Sequence, residues 1–150
     1  MTDLVLYFDG ACEPVNPGGV ASYGWLLNTG AFGHGVIREG KGATNNLAEW
    51  CALGKGLRYI RDTMSGVGTL EIKGDSKLVI EQLTGNWQCK AENLIPLRAR
   101  CLQLLAEIGC QWSATWVPRE QNEKADALTR TAYEEKTGKK FPERRRKSRA

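Results

Sequence analysis

A run of five apolar residues near the start of the chain, Leu4 to Phe8, ends at the pair Asp9-Gly10. A short run without polar members predicts a buried strand. Two more strands are predicted over residues 20–28 and 31–39, with Thr29-Gly30 as the hairpin turn between them. These three strands favour an antiparallel meander, which the rest of the chain must complete.

From Asn46 the apolar residues recur at helical spacing for about four turns, which predicts a helix packed against the sheet. The pattern further along predicts a strand over 69–73, helices over 77–83 and 93–108, a strand over 112–116 and a helix over about 122–136. The order β-β-β-α-β-α-α-β-α, with crossovers between its later strands, predicts an α/β fold. We expect a mixed sheet with helices on both faces.

The charged side chains divide the 150-residue chain into two parts. Of 21 Lys and Arg and 17 Asp and Glu, seven basic residues and one acid lie in residues 138–150, which leaves 14 basic and 16 acidic residues in 1–137. The body is therefore close to −2 and the tail close to +6, which excludes a globally basic surface. We expect one folded domain over 1–137 and a tail over 138–150 that is disordered at least after Phe141, because the tail offers little apolar surface to bury.

The five cysteines are scattered, form no CxxC pair and lie apart from the single histidine, His34. This spacing argues against structural zinc and against a disulfide framework. Reduced thiols fit a reducing compartment, so we expect a cytoplasmic protein. The apolar run at the N-terminus is too short for a signal peptide or a membrane span, and we expect no membrane partner.

Four acidic residues follow predicted strand ends or open predicted helices, beside small or amide residues: Asp9, Glu49, Asp75 and Asp126. If the first and fourth strands are parallel neighbours, Asp9 and Asp75 emerge at the same edge, and the helix starts bring the other two acids there. Four carboxylates make an all-oxygen site, which suits Mg²⁺ or Mn²⁺ rather than zinc. Two such ions would stabilise the attacking and leaving oxygens of an in-line phosphoryl displacement.

Each acid also has a structural interpretation. Asp75 could cap the helix that follows it, Asn46 with Glu49 resembles a capping box, and Asp126 in a first turn complements the helix dipole. Asp9 is harder to explain, because an acid that closes a fully apolar strand needs a reason. Four caps in this order and spacing explain the pattern poorly as a set.

The segments around these acids together resemble type 1 ribonuclease H. They are Tyr7-Phe8-Asp9-Gly10-Ala11, Thr44-Asn45-Asn46-Leu47-Ala48-Glu49, Gly74-Asp75-Ser76-Lys77-Leu78-Val79, and Trp116-Val117-Pro118 through Ala125-Asp126. They occur in the family's order and cover the chain from about residue 4 to 136. The resemblance implies a five-stranded sheet in order 3-2-1-4-5 with its first three strands antiparallel, and it makes residues 1–137 the catalytic domain.

The resemblance further implies an endonuclease that needs divalent metal, cuts the RNA strand of RNA–DNA hybrids, and leaves 3′-hydroxyl and 5′-phosphate ends. The four acids match the family's catalytic, metal-binding acids one for one. This predicts Mg²⁺, with Mn²⁺ as the alternative, and two ions when substrate is bound. We expect a monomer whose partner is the RNA–DNA hybrid.

Several residues of this chain match the family's substrate contacts. Asn16 corresponds to a loop asparagine that contacts the RNA strand, although its loop, residues 12–18, is one residue longer than in many members. Thr44, Asn45 and Asn46 match the region that contacts the hybrid near the scissile site. The alternative for Asn46 is that it only caps the long helix.

Two features of many members are missing. The loop over residues 118–122 has no histidine, which leaves Arg119 and Glu120 as candidate auxiliary residues. Several members insert a basic helix and loop, the handle, after the second helix, where it contacts the hybrid. The segment over residues 84–92 is too short for this handle, which leaves Trp87 and Lys90 as candidate contacts with the hybrid. The basic tail is expected to grip phosphates in the handle's place, with a role in solubility alone as the alternative.

The remaining aromatic residues favour structural roles. Trp50 lies on an apolar helix, and Trp112 and Trp116 alternate with polar residues on a strand, so we expect all three in the core. Trp87 lies in a polar loop, where stacking on a sugar or base is the functional interpretation. His34 is expected to be exposed.

Two other functions would use the same fold. A DNA-cutting nuclease would keep the acids but usually carries an additional DNA-binding domain, for which this chain has no room. A non-catalytic hybrid-binding module should have lost at least one acid, whereas all four are present. The hybrid-specific ribonuclease is therefore the leading hypothesis.

Overall fold

The computed structural model describes residues 2–143, so the predictions for residues 144–150 of the tail lie outside the described residues. The strands are β1 (Thr2–Glu13), β2 (Val20–Leu27), β3 (Phe32–Glu39), β4 (Val67–Gly74) and β5 (Gln111–Trp116). The α-helices are α1 (Asn45–Thr63), α2 (Lys77–Leu83), α3 (Ile95–Ile108) and α4 (Glu123–Thr137). The element order matches the predicted one.

The five strands form one sheet in the order β3-β2-β1-β4-β5. β1 pairs antiparallel with β2, and β2 pairs antiparallel with β3. β1 pairs parallel with β4, and β4 pairs parallel with β5. The predicted mixed sheet with an antiparallel first half is confirmed.

Strand β1 is longer than the apolar run predicts. It continues through Asp9 to Glu13, so the expectation that the strand ends at Asp9 was wrong. The reason lies in its two neighbours: the parallel pairing with β4 stops at Phe8 opposite Gly74, whereas the antiparallel pairing with β2 continues to Glu13 opposite Val20. Backbone hydrogen bonds to β2 extend the strand beyond its apolar residues.

The helices cover both faces of the sheet. Leu4, Leu6 and Phe8 of β1 belong to one apolar cluster with residues of α1 such as Leu53 and Leu57. Ala11, an odd-numbered residue of the same strand, packs instead with Tyr133 of α4 and with Phe141. Because successive residues of a strand point to opposite faces, α1 and α4 lie on opposite sides of the sheet.

The tryptophans divide between the core and the rim. Trp50 is buried, and its indole N–H donates to Gln82 Oε1 at 3.3 Å, so the expectation for Trp50 is confirmed. Trp116 is 37% exposed and Trp112 is half-buried, so the core expectation was wrong for Trp116. β5 is an edge strand without a fully buried residue, and alternation on an edge strand does not imply burial.

All five cysteines are free thiols: Cys12, Cys51, Cys89, Cys101 and Cys110. Burial raises the pKa of the Cys101 thiol to about 12, so this group stays protonated at neutral pH. None of the helices within residues 2–143 is both long and apolar enough to cross a membrane.

Packed structure extends beyond the end of α4. The helix ends at Thr137, followed by Gly138 in the left-handed conformation (φ 69°). The chain then turns back, and Phe141 is buried with 4% of its surface exposed. The packed part of the chain therefore reaches four residues past the boundary expected at residue 137.

Gly10 sets the distance between β1 and α1. A Cβ atom at this position would lie 2.5 Å from the backbone nitrogen of Glu49 and 2.8 Å from Ala48 Cβ. The nearest atoms belong to the helix backbone, which cannot rotate aside. Only glycine therefore allows α1 to approach β1 this closely.

We expect Gly10→Ala to lower the free energy of unfolding by about 1–3 kcal/mol, because the added methyl group overpacks a backbone contact. Gly54→Ala is the matched control: a Cβ there would meet Cys101 Sγ at an ordinary 3.7 Å. Alanine within a helix is favoured over glycine by up to about 1 kcal/mol, so the control should melt at the same or a higher temperature. Chemical denaturation followed by circular dichroism measures both, and equal stability for the two variants would contradict the close-approach argument.

Candidate active site

Three of the four predicted acids meet at one point. Carboxylate oxygens of Asp9, Glu49 and Asp75 all lie within 4.8 Å of one another. Asp9 and Glu49 are each 4% exposed, and Asp75 is half-buried. These residues come from β1, from the first turns of α1 and from the residue that follows β4.

The sheet topology brings two of these acids together. Phe8 and Gly74 form the last parallel pair of β1 and β4, and Asp9 and Asp75 are the residues that come directly after this pair. Parallel strands place equivalent positions side by side, which puts both carboxylates at the same edge. The close approach at Gly10 then brings Glu49 of α1 to the same place.

The donor set fits a divalent cation. Three carboxylates this close repel one another when ionised, and burial of two of them raises that cost. A bound cation removes the repulsion, and an all-oxygen set suits hard ions such as Mg²⁺ or Mn²⁺. The three acids are therefore arranged so that they could hold a divalent metal ion.

Asp126 occupies a different position from the other three acids. It lies in the first turn of α4, outside the 4.8 Å cluster, and its Oδ2 accepts a hydrogen bond from Arg130 Nε at 2.9 Å. Its side chain is 18% exposed. The structure thus brings together three of the predicted ligands and holds the fourth on the adjacent helix by an ion pair.

Two buried side chains of the α4 region fasten that helix to the strand of Asp9. Asn122 Nδ2 donates to the backbone oxygen of Phe8 at 2.9 Å, and the hydroxyl of Thr129 lies 3.3 Å from the backbone oxygen of Asp9. Both residues are almost fully buried. Sequence reasoning missed both roles, although an amide at the start of a helix was the available signal.

The N-terminus of α1 forms the next part of the site. Thr44 is the N-cap, and its hydroxyl accepts a hydrogen bond from the Leu47 N–H at 3.0 Å. The alternative that Asn46 caps the helix was therefore wrong, because the cap lies two residues earlier and Asn46 is the second residue of α1. Asn16 Oδ1 accepts from the Asn45 backbone N–H at 3.0 Å, which joins the predicted contact loop to this helix start.

Trp116 is a rim residue that sequence reasoning placed in the core. Its indole N–H donates to the backbone oxygen of Asp75 at 3.2 Å. Lys77 Nζ lies 6.0 Å from the centroid of the indole ring. An exposed aromatic ring and a cation therefore stand beside one of the clustered acids.

The remaining predicted residues are placed individually. Arg119 is half-buried and Glu120 is exposed, and both lie in a short 3₁₀ turn, Arg119–Gln121, just before α4. Trp87, 44% exposed, and Lys90, also exposed, lie in the segment between α2 and α3. His34 is partly buried in β3, with Nδ1 3.9 Å from Glu135, rather than freely exposed as expected.

The sheet order, with the acid cluster at the end of the β1–β4 pairing, defines the ribonuclease H-like class of folds. Among known proteins, a family model described as reverse transcriptase-like matches residues 7–132. The chain is similar to the ribonuclease HI of Halobacterium salinarum, with 42% identity over 133 residues, covering 86% of this chain and 63% of the relative. It also resembles a bifunctional protein of Mycobacterium tuberculosis, with 38% identity over 87% of this chain and 35% of the relative.

Solved structures agree with the sequence comparison. The crystal structure of RNase H1 from Halobacterium salinarum superposes with a TM-score of 0.78 at 38% identity, covering 89% of this chain and 99% of that chain. LC11-RNase H1 in complex with an RNA/DNA hybrid superposes with a TM-score of 0.78 at 25% identity, covering 89% and 98%. The chain therefore belongs to the reverse transcriptase-like family and, within it, to the type 1 ribonucleases H.

We expect Asp9→Asn and Asp75→Asn to abolish hybrid cleavage while leaving the metal-free protein at least as stable as wild type. Loss of residues that only support metal ligands costs about 10- to 100-fold in activity, so loss of a ligand should cost more than about 100-fold. Removing one of several crowded carboxylates relieves like-charge repulsion, so the melting temperature without metal should hold or rise.

Asp3→Asn is the matched control, because Asp3 lies on the same strand and its carboxylate accepts from Thr69 Oγ1 at 2.9 Å, away from the cluster. Cleavage rates measured with Mg²⁺, and thermal melts measured in a chelator, compare the three variants. Cleavage by Asp9→Asn at the wild-type rate would show that the Asp9 carboxylate is not needed as a metal ligand.

The two roles at the start of α1 can be separated by substitution. Thr44→Ala removes the N-cap acceptor and should lower the free energy of unfolding by about 0.5–2 kcal/mol. Asn45→Ala keeps the backbone N–H that donates to Asn16 Oδ1, so the melting temperature should change little. The loss of the Asn45 amide as a contact to the hybrid should raise KM. A large loss of stability with normal kinetics in Asn45→Ala would make this residue structural.

Proposed function

We propose that this protein is an endoribonuclease that hydrolyses the RNA strand of RNA–DNA hybrids and leaves 5′-phosphate and 3′-hydroxyl ends. The observation that carries the proposal is the convergence of Asp9, Glu49 and Asp75 within 4.8 Å at the end of the β1–β4 pairing. The 42% identity to a ribonuclease HI supports the choice of reaction.

Asp9, Glu49 and Asp75, together with Asp126 on the neighbouring helix, would hold two Mg²⁺ ions when substrate is bound, with Mn²⁺ as the substitute. When bound, the ions supply stabilisation of the negative charge on the attacking and leaving oxygens. The protein contributes rigid placement. Asn122 and Thr129 contact the backbone carbonyls before and after the Asp9 Cα atom, which restricts movement of Asp9 relative to α4.

Recognition of the RNA strand is assigned to the loop and helix start beside the acids. Asn16, Thr44, Asn45 and Asn46 offer amide and hydroxyl groups that can both donate and accept. Such groups suit a ribose 2′-hydroxyl, which distinguishes RNA from DNA, and also suit phosphate oxygens. Trp87 and Lys90, both exposed, are the candidates for contacts with the rest of the hybrid.

The chain spans about three-fifths of the length of its halobacterial relative, and the proposed activity is that of this chain's domain. We propose that this domain acts as a monomer in the cytoplasm, where reduced thiols are stable. The basic residues of the tail would add a sequence-independent attraction to phosphates, which the weakly acidic body cannot supply.

The test is cleavage of matched RNA–DNA, RNA–RNA and DNA–DNA duplexes, with and without Mg²⁺, followed by gel electrophoresis. The proposal expects cleavage of the RNA strand in the hybrid alone, only with metal, and products that a ligase can use at their 5′ ends. Cleavage of DNA would favour a DNA-cutting nuclease on the same fold. Tight binding of the hybrid without cleavage would favour a non-catalytic module.

The turn before α4 must act without the family's histidine. Arg119 is always charged and can donate two parallel hydrogen bonds to a phosphate, so we expect Arg119→Ala to lower kcat more than Glu120→Ala. The pH–rate profile should show no step typical of an imidazole near neutrality. Single-turnover rates for both variants from pH 5 to 9 are the measurement, and equal, small effects would leave this turn without a catalytic role.

A further inference from the structure

Asp126 is the first member of a chain of contacts that runs to the C-terminal segment. Its Oδ2 accepts from Arg130 Nε at 2.9 Å. The Arg130 guanidinium carbon lies 4.7 Å from the centroid of the Phe141 ring, within cation–π distance. Phe141 in turn packs edge-on against Tyr133, with ring centroids 5.3 Å apart. A candidate metal ligand is thus connected to a residue that follows the last helix.

The segment that carries Phe141 is itself anchored. The Phe141 N–H donates to Glu134 Oε2 at 2.8 Å, and the Lys139 N–H donates to Thr137 Oγ1 at 3.1 Å. Gly138 supplies the left-handed turn that allows the chain to fold back on α4. Phe141 is therefore held in place by the hydrogen bond from its own N–H to Glu134 as well as by burial of its ring.

The Arg130–Asp126 pair differs from an ordinary pair on a helix surface. Arg58 and Asp62 of α1 have the same i,i+4 spacing, but their atoms are 3.7 Å apart and their side chains are 61% and 47% exposed. Arg130 and Asp126 are 2.9 Å apart and 38% and 18% exposed. Exposed pairs contribute little because both side chains must be ordered for a screened attraction. Arg130 also contacts the Phe141 ring, and this second contact restricts its side chain and lowers the entropy cost of pairing with the carboxylate.

We propose that Arg130 is a positioning residue for Asp126 and that Phe141 is the clasp that holds Arg130, so the segment over residues 138–143 is part of the active site. The inference rests on the proposed function. A carboxylate that accepts a hydrogen bond from a guanidinium packed against an aromatic ring is restricted in rotation, which sets the orientation of the whole carboxylate group. Asp126 lies outside the three-acid cluster. The orientation of its carboxylate therefore decides whether it can bind a metal ion that the cluster also binds.

The first experiment compares two truncations of the full chain. Removing residues 144–150 deletes basic residues but keeps Phe141, and it should raise KM at low salt and reduce the salt dependence of KM. Removing residues 139–150 also deletes the clasp, and it should in addition lower kcat about ten-fold and raise the Mg²⁺ concentration for half-maximal rate. Equal kcat and equal Mg²⁺ dependence in the two truncations would overturn the proposal.

Point variants separate positioning from stability. Phe141→Leu keeps an apolar anchor against Tyr133 but removes the ring beneath Arg130, and Arg130→Lys keeps the charge but loses the planar fork. Both should weaken Mn²⁺ binding to the substrate-free protein, measured by calorimetry, and raise the Mg²⁺ requirement. Arg58→Lys is the matched control and should change neither. A lower melting temperature with unchanged Mn²⁺ affinity would make the clasp merely structural and overturn the proposal.

The two proposals can fail separately. If the wild-type protein cleaves no hybrid, the proposed function fails, yet the calorimetric comparison still tests the link from Phe141 to Asp126. If the wild type cleaves the hybrid and Arg130→Lys behaves like Arg58→Lys in both metal assays, the ribonuclease stands and the clasp is wrong.

Discussion

The site depends on the point where β1 and β4 separate. The two strands pair in parallel up to Phe8 and Gly74, after which β1 continues along β2 alone. Asp9 and Asp75 are therefore placed by backbone hydrogen bonds upstream of them, and not by any attraction between their own side chains. Like charges stay close together only where the surrounding fold determines their position. Here the backbone hydrogen bonds of the sheet supply the free energy that offsets the repulsion.

Two glycines bring a helix close to Asp9 from each face of the sheet. Gly10 admits α1, with the Glu49 backbone nitrogen 2.5 Å from where a Cβ would stand. Gly24, which pairs with Asp9 across the antiparallel ladder, admits α4 in the same way, with the Ala125 oxygen at 2.8 Å. The acid cluster is thus a consequence of close backbone packing, because larger residues would move the helices that carry Glu49 and Asp126 outward.

Helix α4 links the strand, the fourth acid and the C-terminal segment. Thr129 reaches the backbone of Asp9, Arg130 holds Asp126, and Tyr133 receives Phe141. Thr129 and Arg130 come three and four positions after Asp126, and Tyr133 comes four and three positions after them, so these residues follow one side of the helix. Fraying of the end of α4 would therefore disturb the contacts that Thr129 and Arg130 make with Asp9 and Asp126.

The order of the elements, the mixed sheet and the four acids could be predicted from the sequence, because each rests on local periodicity or on residues that adjoin a strand end or a helix start. The full length of β1, the exposure of Trp116 and the N-cap at Thr44 could not. Each depends on a neighbour distant in sequence or on the exact start of an element. By itself the sequence determined which acids this protein has and the family to which it belongs. Only the tertiary structure decided that three of them meet while Asp126 pairs with Arg130, which lies against Phe141. Strand register, glycine contacts and the fold-back at Gly138 are set by packing between distant segments.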